Sequence, residues 1–361
     1  MRIKTMFLRN AWYVAASETE LGEELLALTI LGERVVLYRK ADGTPVALED
    51  ACPHRKLPLS MGRRQGDQLE CGYHGLTFDC TGSCVKAPGS SHIPRGARVR
   101  SYPLALRYGL IWIWMGDVEQ ADEAKICDVP EWGDPAWGLN RGDSMVVPCN
   151  YLYVTDNLLD PSHVAWVHQT SFGNAACAEE PLKTTVTDEG VIVSRWMRNV
   201  EVAPFYAKFV KFTGNCDRKQ HYEVRYPSQA IIKAVFTPAG TGTDDGELHE
   251  QVFLMNSYNF MTPIDESNTR YYWFQVRNFD PDSAEVSRQF DEDVRHAFAE
   301  DRVVLAAVHQ GMASKRSPNI DLATDAGPLR FRRNLAKLVA QEQPAELIPH
   351  QQQAVPCGTE A

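Results

Sequence analysis

Cys52-Pro-His54 is followed, after sixteen intervening residues, by Cys71-Gly-Tyr-His74, so two short stretches each offer one thiolate and one imidazole. A [2Fe-2S] cluster in which imidazoles replace thiolates on one iron needs this ligand set, with Cys52 and Cys71 on one iron and His54 and His74 on the other. The neutral imidazoles reduce the cluster's negative charge and raise its potential, which suits a centre that stores an electron. A structural zinc site draws on the same residue types and stays open as the alternative, although one residue between Cys52 and His54 is shorter than the roughly two- to four-residue gap of usual zinc loops. Gly62, Gly66, Gly72 and Gly75 suit loops whose backbone amides must come close to bridging sulfides. Cys80 and Cys84 lie near the motif, but the ligand set is complete without them.

A second group falls in Asp156-Asn-Leu-Leu-Asp160-Pro-Ser-His163-Val-Ala-Trp-Val-His168. Its histidines are five residues apart, which a regular helix would leave about 140° out of line, so a distortion between them is required. Pro161, just before them, must start a new helical turn or kink the old one. Far along the chain, Asp301 sits inside an apolar helical stripe, three or four residues from Ala297, Phe298, Val304 and Leu305, where a lone carboxylate is costly to bury. Iron is one partner that would offset this cost, and a hydrogen-bonded or arginine-paired aspartate is the other reading. Glu300, Asp291 and Asp293 fall off the stripe and read as solvated helix charges. Two histidines and one carboxylate on one face of Fe(II) leave positions for O2 and substrate, the arrangement of non-haem oxygenases.

The elements that must carry these residues are legible. From Asn10 to about Asp117 short β segments alternate with turns: Val35–Tyr38, the turn Asp42–Pro45, Val46–Leu48 and Leu110–Trp114. A stretch rich in Asp, Glu, Pro and Gly between Gly116 and Asp143 marks a boundary. Tyr151 to His168 reads as helical with a break at Pro161. β segments return at Val191–Val193, Ala230–Phe236 and Tyr271–Val276, and a long helix is expected from about Ser283 to Met312, with Phe290, Val294, Ala297, Phe298, Val304, Leu305 and Val308 on one face. The expected fold class is α+β, with an all-β domain over residues 8–117, a second domain over 118–340 and a disordered tail over 341–361. Phe205–Phe209, Ile231–Phe236 and Phe253–Ser257 are read as β segments that line an aromatic pocket or belong to the ordinary core, and Lys233, His221 or Arg225 as partners of a substrate carboxylate or sulfonate or as plain surface and strand charges without function.

The chain has 361 residues, long enough for two cores, and a formal charge of -10, which excludes the basic stripe of a nucleic-acid binder. It lacks a run of about 20 apolar residues that would span a membrane, and its N-terminus lacks a secretory pattern, so a cytoplasmic location is expected. Nine cysteines without secretory context favour thiols and metal ligands over disulfides; Cys127, Cys149, Cys177, Cys216 and Cys357 read as small apolar residues.

Cys-x-His and Cys-x2-His with Pro53, Arg55, Tyr73 and Gly75 around them resemble the Rieske signature, apart from Lys56 where many relatives have glycine and Gly72 in place of a frequent proline. Asn10–Ala15 and Arg107–Trp114 are similar to the ends of Rieske domains in the vanillate O-demethylase and toluene-sulfonate methyl-monooxygenase group. The resemblance implies a Rieske domain followed by a helix-grip-like antiparallel sheet domain with a long helix. It maps the motif Asp-x2-His-x4-His onto Asp160, His163 and His168, with Asp301 as the third ligand and Asn157 beside the iron. It also implies that Asp160 hydrogen-bonds His163 and reaches His74 of a neighbouring subunit in a head-to-tail homotrimer. The implied activity is that of a terminal monooxygenase taking O2 as co-substrate, and electrons from NAD(P)H through a separate flavin- or ferredoxin-type reductase. Its substrate would be a small aromatic acid bearing a methoxy or methyl group. A ring-hydroxylating dioxygenase, or a Rieske electron-transfer protein without oxygenase activity, are the other readings.

Overall fold

A computed structural model describes residues 7–314 and 316–342. The described residues divide into two compact units, one of Phe7–Ile126 with Thr262–Asp265 and 338–342, the other of Cys127–Met261 with Glu266–Lys337.

The N-terminal unit consists of small antiparallel sheets. Strands β1 (Trp12–Ser17), β10 (Leu104–Arg107) and β11 (Leu110–Trp114) form one, in the order β1-β11-β10. A second, in the order β2-β3-β4-β9, joins β2 (Leu26–Ile30), β3 (Glu33–Arg39), β4 (Pro45–Glu49) and β9 (Ser101–Tyr102). The third runs β5 (Arg63–Gln65), β6 (Gln68–Glu70), β7 (Thr77–Phe78) and β8 (Cys84–Lys86) in chain order. β-branched and aromatic residues fit these pleated surfaces, and Val36, Tyr38, Leu48, Leu69 and Phe78 close a core beneath the Cys52 and Cys71 loops. The first loop connects β4 to β5 and the second connects β6 to β7, so both ligand stretches hang from one scaffold.

In the C-terminal unit β12 (Gly138–Val147), β13 (Lys183–Val186), β14 (Gly190–Val200), β15 (Cys216–Arg225), β16 (Gln229–Pro238), β17 (Phe253–Pro263) and β18 (Thr269–Arg277) form one sheet. Its order is β12-β18-β17-β16-β15-β14-β13, a meander closed by β12 on the far edge of β18. The helices are α1 (Tyr151–Leu158), α2 (Ala176–Glu179), α3 (Pro204–Ala207), α4 (Ala284–Ser314) and α5 (Ala326–Gln341). Helix α4 lies against the sheet through Phe298, whose ring is 5.2 Å from Tyr271 and 5.0 Å from Trp273. The class is mixed α+β, with a long C-terminal helix, as expected.

Three local expectations need correction. Phe205–Phe209 is not a strand, because Pro204 at the first helical position, preset for helical φ, turns the chain into α3. The stretch to His168 is not one helix: α1 stops at Leu158 and, of the two readings at Pro161, the new helical turn holds, as the separate 3-10 turn His163–Ala165. On α4 the buried stripe is Phe290, Val294, Ala297 and Leu305, while Val304 and Val308 are exposed although their helical positions fall within about 60° of that line. Cys127, Cys149, Cys177 and Cys216 are buried and form no disulfide, and Cys357 lies outside the described residues. So does most of the expected tail, since only Gln341 and Glu342 of it are described. Among the described residues no helix is long and apolar enough to cross a membrane.

Candidate metal centres

The two loops of the N-terminal unit are built alike. The amide of Cys52 donates to Leu57 O at 2.9 Å and that of Lys56 to Cys52 O at 2.8 Å; the amide of Cys71 donates to Leu76 O at 2.8 Å and that of Gly75 to Cys71 O at 3.0 Å. The same two bonds at the same offsets fold each loop back on its cysteine. Each fold requires a left-handed residue four positions on, met by Lys56 at φ 59° and Gly75 at φ 70°. Neighbouring backbone leaves no room at Gly62, where an added Cβ would run into Glu70 O. Buried Asp50 accepts from the amide of Ser60 at 2.7 Å and its hydroxyl at 2.8 Å, fixing the exit of the first loop.

Within these loops Cys52 and Cys71 are buried, each 2% exposed, and His54 and His74 are exposed. The two Nδ1 atoms face each other at 3.1 Å. Two nitrogens on one tetrahedral metal, with bonds of about 2.1 Å, would stand roughly 3.4 Å apart, so the imidazoles are already spaced as ligands of a shared ion. Burial pushes the Cys52 thiol up, the amides of His54 and Arg55 oppose this, and Cys71 alongside raises it further. Two adjacent buried sulfurs of this kind are stabilised as thiolates by a metal. The residues therefore fit a cluster with sulfur ligands inside and imidazole ligands at the surface.

In the C-terminal unit α1 presents Asn157, and a single 3-10 turn, His163–Ala165, follows the break at Pro161. This turn and the irregular segment after it supply the distortion that the five-residue spacing demands. His163, His168 and Asp301 come together with their ligand atoms within 4.8 Å of one another. Asp301 Oδ2 is 3.2 Å from His168 Nε2, and its Oδ1 is 3.7 Å from His163 Nε2 and accepts from Asn157 Nδ2 at 3.1 Å. Three ligands at right angles, about 2.1 Å from one metal, would be roughly 3 Å apart, so this donor set fits one face of an ion.

The outer nitrogens of both rings are engaged. His163 Nδ1 meets the backbone carbonyl of Asp160 at 2.5 Å, and His168 Nδ1 meets Glu300 Oε2 at 2.8 Å. Donation at Nδ1 leaves each Nε2 lone pair free for a metal, and a carboxylate on the far side raises the basicity of the ring. Burial pushes His168 down, but Asp301 and Glu300 outweigh it and its pKa is raised. Burial pushes Asp301 up, yet the His168 hydrogen bond, the two imidazoles and the Asn157 amide together hold it below the usual carboxylate range. A half-buried, ionised carboxylate between two imidazoles is a site that calls for a cation.

These findings revise part of the sequence reading. The contact from Asp160 to His163 is made by the backbone carbonyl, because the Asp160 carboxylate instead accepts from the Ser162 amide at 3.0 Å in a tight Asx turn. Glu300 is not a solvated helix charge but the partner of His168. Asp291 accepts from Asn140 Nδ2 at 3.2 Å and Asp293 pairs with Lys208 at 2.6 Å, so neither is free in water. On the sheet, His221 is paired in register with Lys233, with the opposite parity to Arg218 and Phe236, and His221 and Arg225 engage Glu223. Alternation puts them on the face away from the aromatic layer that leads to His168.

Residues 11–103 match the Rieske [2Fe-2S] domain, and residues 147–341 match the vanillate O-demethylase oxygenase C-terminal domain. The chain belongs to the Rieske non-haem iron oxygenases. It is 37% identical to the toluene-4-sulfonate monooxygenase iron-sulfur subunit of Comamonas testosteroni, over 93% of this chain and 98% of that one. It is 35% identical to a vanillate O-demethylase oxygenase subunit of a Pseudomonas strain, over 94% and 97%. The structure of dicamba monooxygenase bound to 3,6-dichlorosalicylic acid superposes with a TM-score of 0.83 at 33% identity, over 93% and 98%. The cofactors of this Rieske oxygenase are thus a [2Fe-2S] cluster and a non-haem iron, which settles the zinc alternative against zinc. Its relatives are named as oxygenase subunits or components, and such a component works with a separate reductase.

Proposed function

We infer that this Rieske oxygenase is the terminal monooxygenase component for a small aromatic acid carrying a methoxy or methyl group, and that its two metal centres are held by the residues described above. Cys52 and Cys71 bind one iron of the cluster and His54 and His74 the other; His163, His168 and Asp301 bind the mononuclear iron. The carrying observation is the convergence of His163 Nε2, His168 Nε2 and Asp301 with their outer partners already in place. When bound, the ferrous ion and the cluster supply the electrons with which O2 is used to oxidise a substrate C–H bond.

The protein's own groups do the rest. Asn157 holds Oδ1 of Asp301, so that Oδ2 is turned to the His168 side. Asp160 fixes His163 through its carbonyl, and its half-buried carboxylate serves as the electron bridge toward His74 of the partner subunit. Exposure of His54 and His74 supports that arrangement, in which a head-to-tail homotrimer brings the cluster of one subunit to the iron of the next. A flavin- or ferredoxin-type reductase feeds the cluster from NAD(P)H, and the assembly works in the cytoplasm. Hydroxylation of an aryl methoxy carbon gives a hemiacetal that collapses to a phenol and formaldehyde; on an aryl methyl it gives the alcohol. The named substrates of the relatives, vanillate, toluene-4-sulfonate and dicamba, support an aromatic acid.

The test is reconstitution with a reductase and NADH on methoxy-, methyl- and sulfonate-substituted benzenes bearing an acid group, scoring product and formaldehyde. His163→Ala should keep the cluster's colour and lose substrate-dependent O2 uptake. Uptake that persists in that variant, or a cis-diol as product, would remove the reading.

A further inference from the structure

Two arginines are buried in the sheet without the company that buried arginines usually keep. Arg218 on β15 is 1% exposed and Arg195 on β14 is 6% exposed. A guanidinium stays charged at any ordinary pH, so its burial is costly unless an anion faces it. Arg277, also fully buried, has Asp280 and Asp291 acting on it, and Arg332 is paired with Asp156. No carboxylate is among the groups that act most strongly on Arg218. Cys177 is the strongest favourable influence on both arginines; Asp160 is the one carboxylate among the groups that act most strongly on Arg195, and the repulsion of Arg218 exceeds it.

The hydrogen bonds tell the same story. Arg195 donates to Gln220 Oε1 at 2.7 Å, Glu180 O at 2.9 Å and Pro161 O at 3.1 Å. Arg218 donates to Phe172 O at 2.9 Å and Cys177 Sγ at 3.3 Å, and its buried Nε–H has no acceptor among the described residues. Its guanidinium lies 5.1 Å from the Tyr206 ring and 5.0 Å from the Phe236 ring. The nearby phenols do not supply charge at neutral pH, since burial pushes both Tyr206 and Tyr222 up.

Placement gives this surplus of positive charge a purpose. The rows Met197–Arg218–Phe236–Phe253 and Arg195–Gln220–Ala234–Met255 are adjacent on one face of the sheet. Arg195 holds the carbonyl of Pro161, two residues before His163, and Arg218 holds that of Phe172, four residues after His168. The Phe172 ring stands between, 5.8 Å from the His168 ring and 5.9 Å from that of Tyr206. The guanidiniums thus bracket the segment that carries both histidines, one aromatic layer from the metal site.

We propose that Arg218, backed by Arg195, is the counter-charge for the arene-bound carboxylate or sulfonate of the substrate, and so determines specificity for aromatic acids. An aromatic acid whose oxidisable substituent is at the metal carries its acid group across one ring, toward Arg218, whose Nε–H is the donor it would take up. The proposal rests on the aromatic-acid reading above and deepens it.

Calorimetric titration of the iron-loaded full chain, without reductant, compares 4-methoxybenzoate and 4-toluenesulfonate with the neutral 4-methoxybenzamide. Arg218→Met should weaken binding of both anions by about 30-fold or more and leave the amide unchanged, and Arg218→Lys should retain a preference for the anions. A folded, iron-loaded Arg218→Met chain that binds the anions as the parent does would overturn the role of Arg218 alone. A parent chain that binds neither anion would overturn the aromatic-acid reading with it. Should Arg218→Met not fold, melting of the parent decides: 4-methoxybenzoate must raise Tm more than the amide, and an equal rise rejects the proposal.

Discussion

Nδ1 of His168 lies 2.8 Å from Oε2 of Glu300, while Nε2 of the same ring lies 3.2 Å from Oδ2 of Asp301, so adjacent carboxylates on α4 grip opposite ends of one buried imidazole. Glu300 is placed to orient the ring, and Asp301 to share with it the metal proposed above. Glu300→Ala should weaken ferrous iron binding about 10- to 100-fold, with Glu300→Gln in between, while the cluster stays fully loaded. Iron content after timed exposure to a chelator, set against cluster absorbance, measures this; iron retention equal to the parent's would show that Glu300 does not act through His168.

Asp160 separates two roles. Its carbonyl, not its carboxylate, meets His163, and an asparagine keeps that carbonyl and can still accept from the Ser162 amide. Asp160→Asn should therefore keep both metal centres while the reduced cluster is discharged by substrate and O2 about tenfold or more slowly. Single-turnover absorbance of the pre-reduced protein reads the rate, and discharge at the parent's speed argues against the bridge.

The matching cluster loops predict opposite responses to opposite substitutions. Gly75→Ala places a Cβ at φ 70° and 3.0 Å from Pro88 Cγ, and should cost about 1–2 kcal/mol with a more labile cluster. Lys56→Gly removes comparable strain at φ 59° and gives back about 0.5–1 kcal/mol in chain entropy, leaving stability unchanged or up to about 1 kcal/mol higher. Thermal melts of the two variants check the signs, and a clear loss in Lys56→Gly contradicts the account.

Glu223 gives a pH-dependent term away from the metals. His221 first, its Nε2 3.6 Å from the carboxylate, and Arg225 with it, its Nε donating at 2.6 Å, outweigh burial and lower its pKa from 4.5 to about 2. A carboxylate depressed in this way contributes stability in full above its unfolded pKa and loses it as pH falls toward its folded value. The gap between the parent and Glu223→Gln should be about 1 kcal/mol at neutral pH after allowance for solvent at this half-buried site, and should shrink below pH 4.5. Denaturant melts across that range measure it; a gap independent of pH counts against the ion pairs as its source.

The sequence by itself determined the ligand types and the elements that hold them. Cys52, His54, Cys71 and His74 are local: each pair sits in one loop, and loop chemistry of this kind is written in consecutive residues. Asp301 was legible because a carboxylate within an apolar helical stripe violates the pattern around it. The strands Val35–Tyr38, Ala230–Phe236 and Tyr271–Val276 and the helix from about Ser283 also followed from periodicity, which depends on a residue's near neighbours alone.

Only the tertiary structure decided which groups meet across long separations. Glu300 lies 132 positions from His168, and its own surroundings on α4 are those of a solvated side chain; folding, not spacing, brings it to the ring. The same holds for which face of β15 looks toward the site: Arg218 and His221 are both polar residues in one strand, and strand parity tells them apart only once the sheet has a covered side. Asp160 differs again, since the backbone amide of Ser162 draws its carboxylate into a local turn and leaves the contact with His163 to its backbone carbonyl. Side-chain type limits what a residue can bind, but the partner it meets is fixed by the packing of distant segments, and no short window of sequence contains that.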